Sequence, residues 1–244
     1  MTLTTSTGRV RLRIDDDGVA TITLANPPLN IYDLQMRDEL IEAFTAVRDH
    51  PDARALVLTA DGKHFSAGAD LKEFGTAGGV MAARRVRWTR DPWTPLWELP
   101  QPSVVALHGF ALGAGLEVAL LCDIRVASRD AVLGLPESRL AMLPSAGGTQ
   151  SLARVIGPGP AAPIVMLGEN MDADTAAARG VVDFVVDDAD TAARAIAAQI
   201  ASADAAAMTA ARRALRAAAD LSLGEGLRRE RILAATARSA GPAI

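Results

Sequence analysis

The segment Ser103-Val-Val-Ala-Leu-His-Gly-Phe-Ala-Leu-Gly-Ala-Gly-Leu-Glu-Val-Ala-Leu-Leu-Cys-Asp123 decides how the rest of the chain is read. Ser103 to Leu107 is a short apolar run of the kind a buried strand shows. His108-Gly109 and Gly113-Ala-Gly115 interrupt it, and Leu116-Glu-Val-Ala-Leu-Leu121 resumes as an apolar helix carrying one carboxylate. Strand, glycine-bearing turn and helix in succession are the building pattern of an α/β fold.

The same alternation extends outward. Upstream, Val10 to Ile14 and Val19 to Leu24 flank Asp15-Asp-Asp-Gly18 and read as a hairpin. Asn26-Pro-Pro28 stops the second strand. Asp33 to Arg48 carries Leu34, Leu40, Ile41, Phe44 and Val47 near helical spacing, and Ala55 to Thr59 reads as a buried strand. A helical stretch is expected within Val80 to Glu98, its ends blurred by Pro92 and Pro95. Downstream, strands are expected at Ile124 to Ala127, Val132 to Leu133 and Val181 to Val186, with a helix opened by Gly147-Gly148 and running to Val155. From Asp190 the chain turns Ala- and Arg-rich, with three helices expected and no strand. The expectation is therefore an α/β core over residues 1–189 and a helical region over 190–244.

Composition narrows the function classes. Half of the 244 residues are hydrophobic, ample for one large core. A balance of 25 Lys and Arg against 29 Asp and Glu gives a net charge of -4, which argues against bulk binding of nucleic acid or an anionic membrane. Cys122 is the only cysteine, so neither an intrachain disulfide nor a Cys-based zinc site can be built. The polar start, with Arg9, Arg11 and Arg13, lacks the apolar centre of a signal peptide, and no apolar run approaches the ~18 residues of a membrane span. A soluble, cytoplasmic protein is expected.

Three segments carry the chemistry together: Phe65-Ser-Ala-Gly-Ala-Asp-Leu-Lys72, His108 to Asp123, and Leu133-Gly-Leu-Pro-Glu-Ser-Arg-Leu140 with Pro144-Ser-Ala-Gly-Gly-Thr-Gln150. Taken alone, Glu117 reads either as a carboxylate favoured near a helix N-terminus or as an acid/base, and Glu137 as a loop carboxylate. In order and spacing, from about Val10 to Val186, the three segments resemble the enoyl-CoA hydratase/isomerase (crotonase) family. That resemblance implies a spiral of ββα units with a C-terminal helical region, and homotrimers or homohexamers. It implies an acyl-CoA thioester as substrate, with coenzyme A part of the substrate and no separate cofactor or metal.

Site residues follow by motif position. The resemblance implies that Glu117 and Glu137 are the catalytic pair and that the backbone N–H groups of Ala69 and Ala114 form the oxyanion hole. Small loops suit that use, since backbone must come close to the ligand. Preorganised donors at a developing enolate oxygen are worth roughly 2.7–4 kcal/mol each. Ala67, Asp70, Leu71 and Gly113 fall beside these donors as substrate-binding positions, and Lys72 falls near the coenzyme's nucleotide end. Trp88, Trp93 and Trp97 crowd one ten-residue window; the resemblance implies that Trp88 and Trp97 wall the acyl pocket, and the alternative is core packing of a kinked helix. His64, His108 and Cys122 are expected to be structural.

The expected reaction is hydration of a 2-enoyl-CoA, because adding water across C2–C3 needs one group to activate water and another to protonate C2. Double-bond isomerisation is the alternative within enzymes; a non-catalytic acyl-CoA- or RNA-binding relative is the alternative outside them. Departures from the family pattern are the short C-terminal end, Ser151 where Arg is usual, and the lack of a Lys in Pro27-Pro-Leu-Asn-Ile-Tyr32.

Overall fold

The computed structural model describes residues 3–240. The first half runs β1 (Leu3–Thr7), β2 (Val10–Ile14), β3 (Val19–Leu24), α1 (Leu34–Asp49), β4 (Ala55–Ala60), α2 (Val80–Thr89), α3 (Trp93–Glu98), β5 (Ser103–Leu107), β6 (Phe110–Leu112) and α4 (Ala114–Ala119). The second runs β7 (Ile124–Ser128), β8 (Val132–Gly134), α5 (Gly148–Ile156), α6 (Pro158–Met166), β9 (Asn170–Asp172), α7 (Ala173–Ala178), β10 (Phe184–Val186), α8 (Ala189–Ala201), α9 (Ala205–Ala217) and α10 (Leu223–Ala240). Short 3-10 turns lie at Leu71–Glu73 and Pro136–Leu140.

Seven strands make the main sheet, in the order β1-β2-β3-β4-β5-β7-β10. β1, β2 and β3 pair antiparallel, as the hairpin around Gly18 requires, and every later pairing is parallel. Parallel neighbours need a crossover. Here the crossovers build a second, smaller layer. Tyr32 bridges Ala69, Ser66 bridges Ala111, β6 pairs with β8, and β8 pairs with β9. β5-β6-α4 makes the unit plain: one strand in the large sheet, one short strand in the small layer, then a helix.

The central strands are buried on both faces, which is why they read as apolar runs rather than alternations. Leu56, Leu58, Val105 and Leu107 point into the main core with Phe44, Phe65 and Leu116. Their alternate neighbours Ala55, Val57, Val104 and Ala106 point the other way and meet Ala189, Ala193, Ala197 and Ala201 of α8. Alanine at every fourth position lets that helix lie close on the sheet. The first helix after residue 189 thus packs on the strands, while α10 makes its main contacts with α9.

Two helices, α6 and α7, lie outside the elements expected from the sequence. In α6, Pro158 and Pro160 occupy the first turn, where no N–H is needed, and only Pro163 forgoes a bond. The late strand is shorter than expected: Phe184–Val186 pairs with β7, while Val181 and Val182 are buried in the approach to it.

Candidate active site

The site forms where the turns of the small layer converge. Tyr32 takes a hydrogen bond at its carbonyl from the Asp70 N–H (3.2 Å), and its own N–H donates to the Gly68 carbonyl (2.9 Å). In this parallel bridge the bonded groups flank Ala69, so the Ala69 N–H points to the opposite side. The Ala114 N–H begins α4, whose first-turn donors have no partner within the helix. Neither N–H donates to another described residue, and both alanines line one cavity of about 420 Å³.

Glycine makes the approach possible. A Cβ on Gly68 would stand 3.0 Å from the Leu112 carbonyl oxygen and 3.6 Å from the Ala114 nitrogen. Gly113 has φ 54° and ψ -125°, a backbone that L side chains rarely adopt, and a Cβ there would meet Glu137 Oε1 at 2.9 Å. At Gly115 the obstacle would be Ser66, 2.8 Å away.

Glu117, 3% exposed, projects from α4 into the same cavity. Its Oε1 accepts 2.8 Å hydrogen bonds from the N–H groups of Ala146 and Gly148. These come from the turn into α5, so the Gly147-Gly148 pair both opens a helix and holds a carboxylate. Glu137 arrives from the 3-10 turn after β8. Burial pushes its carboxyl above the usual carboxylate range, and its Oε2 is buried with no hydrogen-bond partner among the described residues. A pinned carboxylate and a carboxyl inclined to hold its proton therefore face one space.

Several expected site residues gather here and others do not. Glu117, Glu137, Ala69 and Ala114 line the cavity together with Ala67, Leu71 and Gly113. Asp70 and Lys72 are absent from its walls: the Asp70 carboxylate accepts the Lys72 N–H (2.9 Å) and starts the 3-10 turn, and Lys72 is exposed. Trp97 is corrected. It is 43% exposed, off the cavity wall, with the Arg216 guanidinium 3.9 Å above its ring. The Trp88 side chain lies outside the described residues. His64 accepts the Phe110 N–H (3.1 Å) and stacks on the Phe110 ring, and buried Cys122 has its thiol pushed up to about 12 by desolvation.

The sequence reading missed the apolar mouth. Phe74 and Leu143, both more than half exposed, stand on the cavity wall with Met142. It also missed Arg37 of α1, which joins the same wall. Exposed apolar side chains rimming a concavity mark a place for an apolar ligand.

Comparison with known proteins follows the same lines. A family profile described as enoyl-CoA hydratase/isomerase matches residues 15–240. A Mycobacterium bovis protein named probable enoyl-CoA hydratase echA8 is 39% identical over 224 residues, spanning 89% of this chain and 85% of its own. The crystal structure of an enoyl-CoA hydratase from Bacillus anthracis superposes with a TM-score of 0.89 at 32% identity, covering 96% of this chain and 92% of that one. The structure of Pseudomonas aeruginosa DspI gives 0.90 at 34% identity, with coverages of 97% and 98%.

Proposed function

The chain belongs to the enoyl-CoA hydratase/isomerase family, and from that premise we propose that it adds water across the C2–C3 double bond of a 2-enoyl-CoA thioester. The observation that carries this reading is the shared cavity of Glu117 and Glu137 beside the undonated N–H groups of Ala69 and Ala114.

In this reading the thioester oxygen accepts both N–H bonds, which strengthen as the enolate forms. Glu117, its carboxylate held by Ala146 and Gly148, orients a water and takes its proton as the oxygen attacks C3. Glu137 gives its proton to C2. Burial supports that division, because a carboxyl with a raised pKa keeps a proton to donate. In this reading the two groups face one water. The exposed Leu215, Leu223, Leu227 and Ile232 of α9 and α10 supply apolar surface for homotrimer or homohexamer formation.

The test is Glu117→Gln and Glu137→Gln with a panel of short, branched and cyclic enoyl-CoAs. Each change is expected to lower kcat for hydration roughly 10²–10⁴-fold, with a far smaller effect on acyl-CoA Kd. The double variant should lose less than the product of the single effects. An isomerase would instead show one severe and one mild loss. Near-wild-type hydration by both single variants would end this mechanism.

A further inference from the structure

The segment before α1 holds one residue in a backbone conformation that side chains avoid. Asn30 has φ 46°, in the left-handed region, and is fully buried. Asparagine tolerates that region because its short amide can bond nearby backbone. Here the amide also reaches much further along the chain. Its Nδ2 donates to the carbonyls of Asp61 (2.8 Å) and His64 (2.7 Å), 31 and 34 residues on, while its Oδ1 accepts the Asn26 N–H (2.8 Å). The Asn30 carbonyl accepts the Ser66 hydroxyl (2.7 Å), and that hydroxyl accepts the Gly68 N–H (3.1 Å). One buried residue thus grips the loop that leads to Ala69 at its entrance and at its turn.

Ser66 carries the hold across to the second donor. Its N–H donates to the Phe110 carbonyl (2.8 Å) and its carbonyl accepts the Leu112 N–H (3.0 Å), the two bonds that bridge it to Ala111 of β6. Ala69 lies three residues after Ser66, and Ala114 lies three residues after Ala111. Ser66 also packs on the first turn of α4, where a Cβ on Gly115 would stand 2.8 Å from Ser66 Cβ. The spacing of the two N–H groups is therefore set at Ser66, and Ser66 is held by Asn30. If the left-handed turn were the whole requirement, glycine would meet it without a buried amide. Unusual backbone persists where its surroundings over-determine it, and such positions cluster at functional sites.

We propose that Asn30 is a positioning residue for the oxyanion hole: through the His64 carbonyl and the Ser66 hydroxyl it fixes the Ala69 N–H relative to that of Ala114. This rests on the acyl-CoA reading given above, in which those two groups receive the thioester oxygen. Asn30 is off the cavity wall, so it acts on how well the two donors converge as charge grows on that oxygen.

The test reads the donors directly. Difference infrared spectroscopy of a bound saturated acyl-CoA, isotope-labelled at the thioester carbonyl, reports hydrogen bonding to that oxygen. Steady-state kinetics on an enoyl-CoA gives kcat and KM beside it. Asn30→Gly keeps the left-handed backbone and removes the amide; Ser66→Ala removes the hydroxyl. In wild-type protein the carbonyl stretch should fall in frequency on binding. Asn30→Gly is expected to lose most of that shift and about 10²-fold in kcat, the effect of a misplacement of roughly 1 Å, with a far smaller change in KM. Ser66→Ala should lose part of the shift and about tenfold in kcat, the scale of one hydrogen bond. A merely structural role would lower Tm and leave the stretch and kcat of the folded protein unchanged; that result for Asn30→Gly would overturn the proposal. Should Asn30→Gly not fold, Ser66→Ala decides, and a carbonyl stretch equal to that in wild type overturns it. A wild-type shift that survives the variants leaves the oxyanion reading standing and removes only the role of Asn30. No shift in wild type removes both.

Discussion

The Glu117 carboxylate occupies the space in which a side chain on Gly148 would stand. A Cβ there would lie 2.9 Å from both Glu117 Cγ and Oε1, while the Gly148 N–H holds Oε1 at 2.8 Å. Glycine is required because the residue must touch the carboxylate with backbone alone. Gly148→Ala is expected to displace Glu117 and lower kcat about 10²-fold, as a catalytic group moved by roughly 1 Å does. Unfolding should shift far less than turnover; steady-state kinetics beside a thermal melt would separate the two.

Gly113 sits under a double constraint. Its positive φ disfavours any L side chain, and a Cβ would run into Glu137 Oε1. Gly113→Ala should therefore rotate the Ala114 N–H away from the thioester oxygen and disturb Glu137 together. Loss of one oxyanion donor costs about 10²–10³ in kcat. The same substitution at Gly147, also at positive φ but with open space around it, serves as the comparison; it should cost much less activity.

Glu137 makes stability depend on pH in a definite direction. Its folded-state pKa is raised by burial, so ionising it opposes folding. That contribution is absent below the unfolded carboxyl's pKa and grows as pH rises through the folded one. Glu137→Gln removes the ionisation, so the variant's Tm relative to wild type should improve from pH 4.5 to pH 7.5. The side chain is partly solvated, which keeps the effect small. A relative Tm that moves the opposite way would show that Glu137 is stabilised as an anion.

Asp123 ties the helical tail to the start of β5. Its carboxylate binds Arg212 (2.6 Å) and Arg216 (3.0 Å) of α9, and accepts the N–H and hydroxyl of Ser103. Arg212 is 6% exposed and also donates to the Leu99 carbonyl. Removing one partner of a buried pair costs about 3–5 kcal/mol, because the other charge stays behind. Asp123→Ala should lower the denaturation midpoint accordingly. Hydrogen exchange should show the loss of protection centred on α9.

Much of this was legible without coordinates. The run Ser103 to Leu107, the glycines that follow and the apolar helix around Glu117 encode strand, turn and helix through local geometry alone. The Asp15-Asp-Asp-Gly18 hairpin and the helix capped by Asp33, whose side chain accepts the Met36 N–H (2.9 Å), are equally local. The sequence reading assigned nothing at α6, where the cost of proline depends on where a helix begins, and composition does not say.

What the chain determines by itself, then, is the order of its elements, the positions where only glycine fits, and the two carboxylates set among them. These depend on neighbours within a few residues. Only tertiary structure decided that Ala146 and Gly148, 29 and 31 residues beyond Glu117, hold its oxygen, that burial raises Glu137, that Arg37 joins the cavity, and that Trp97 meets Arg216. Such contacts join residues far apart in sequence. No periodicity records them, because they exist only once the crossovers have stacked one layer on the other.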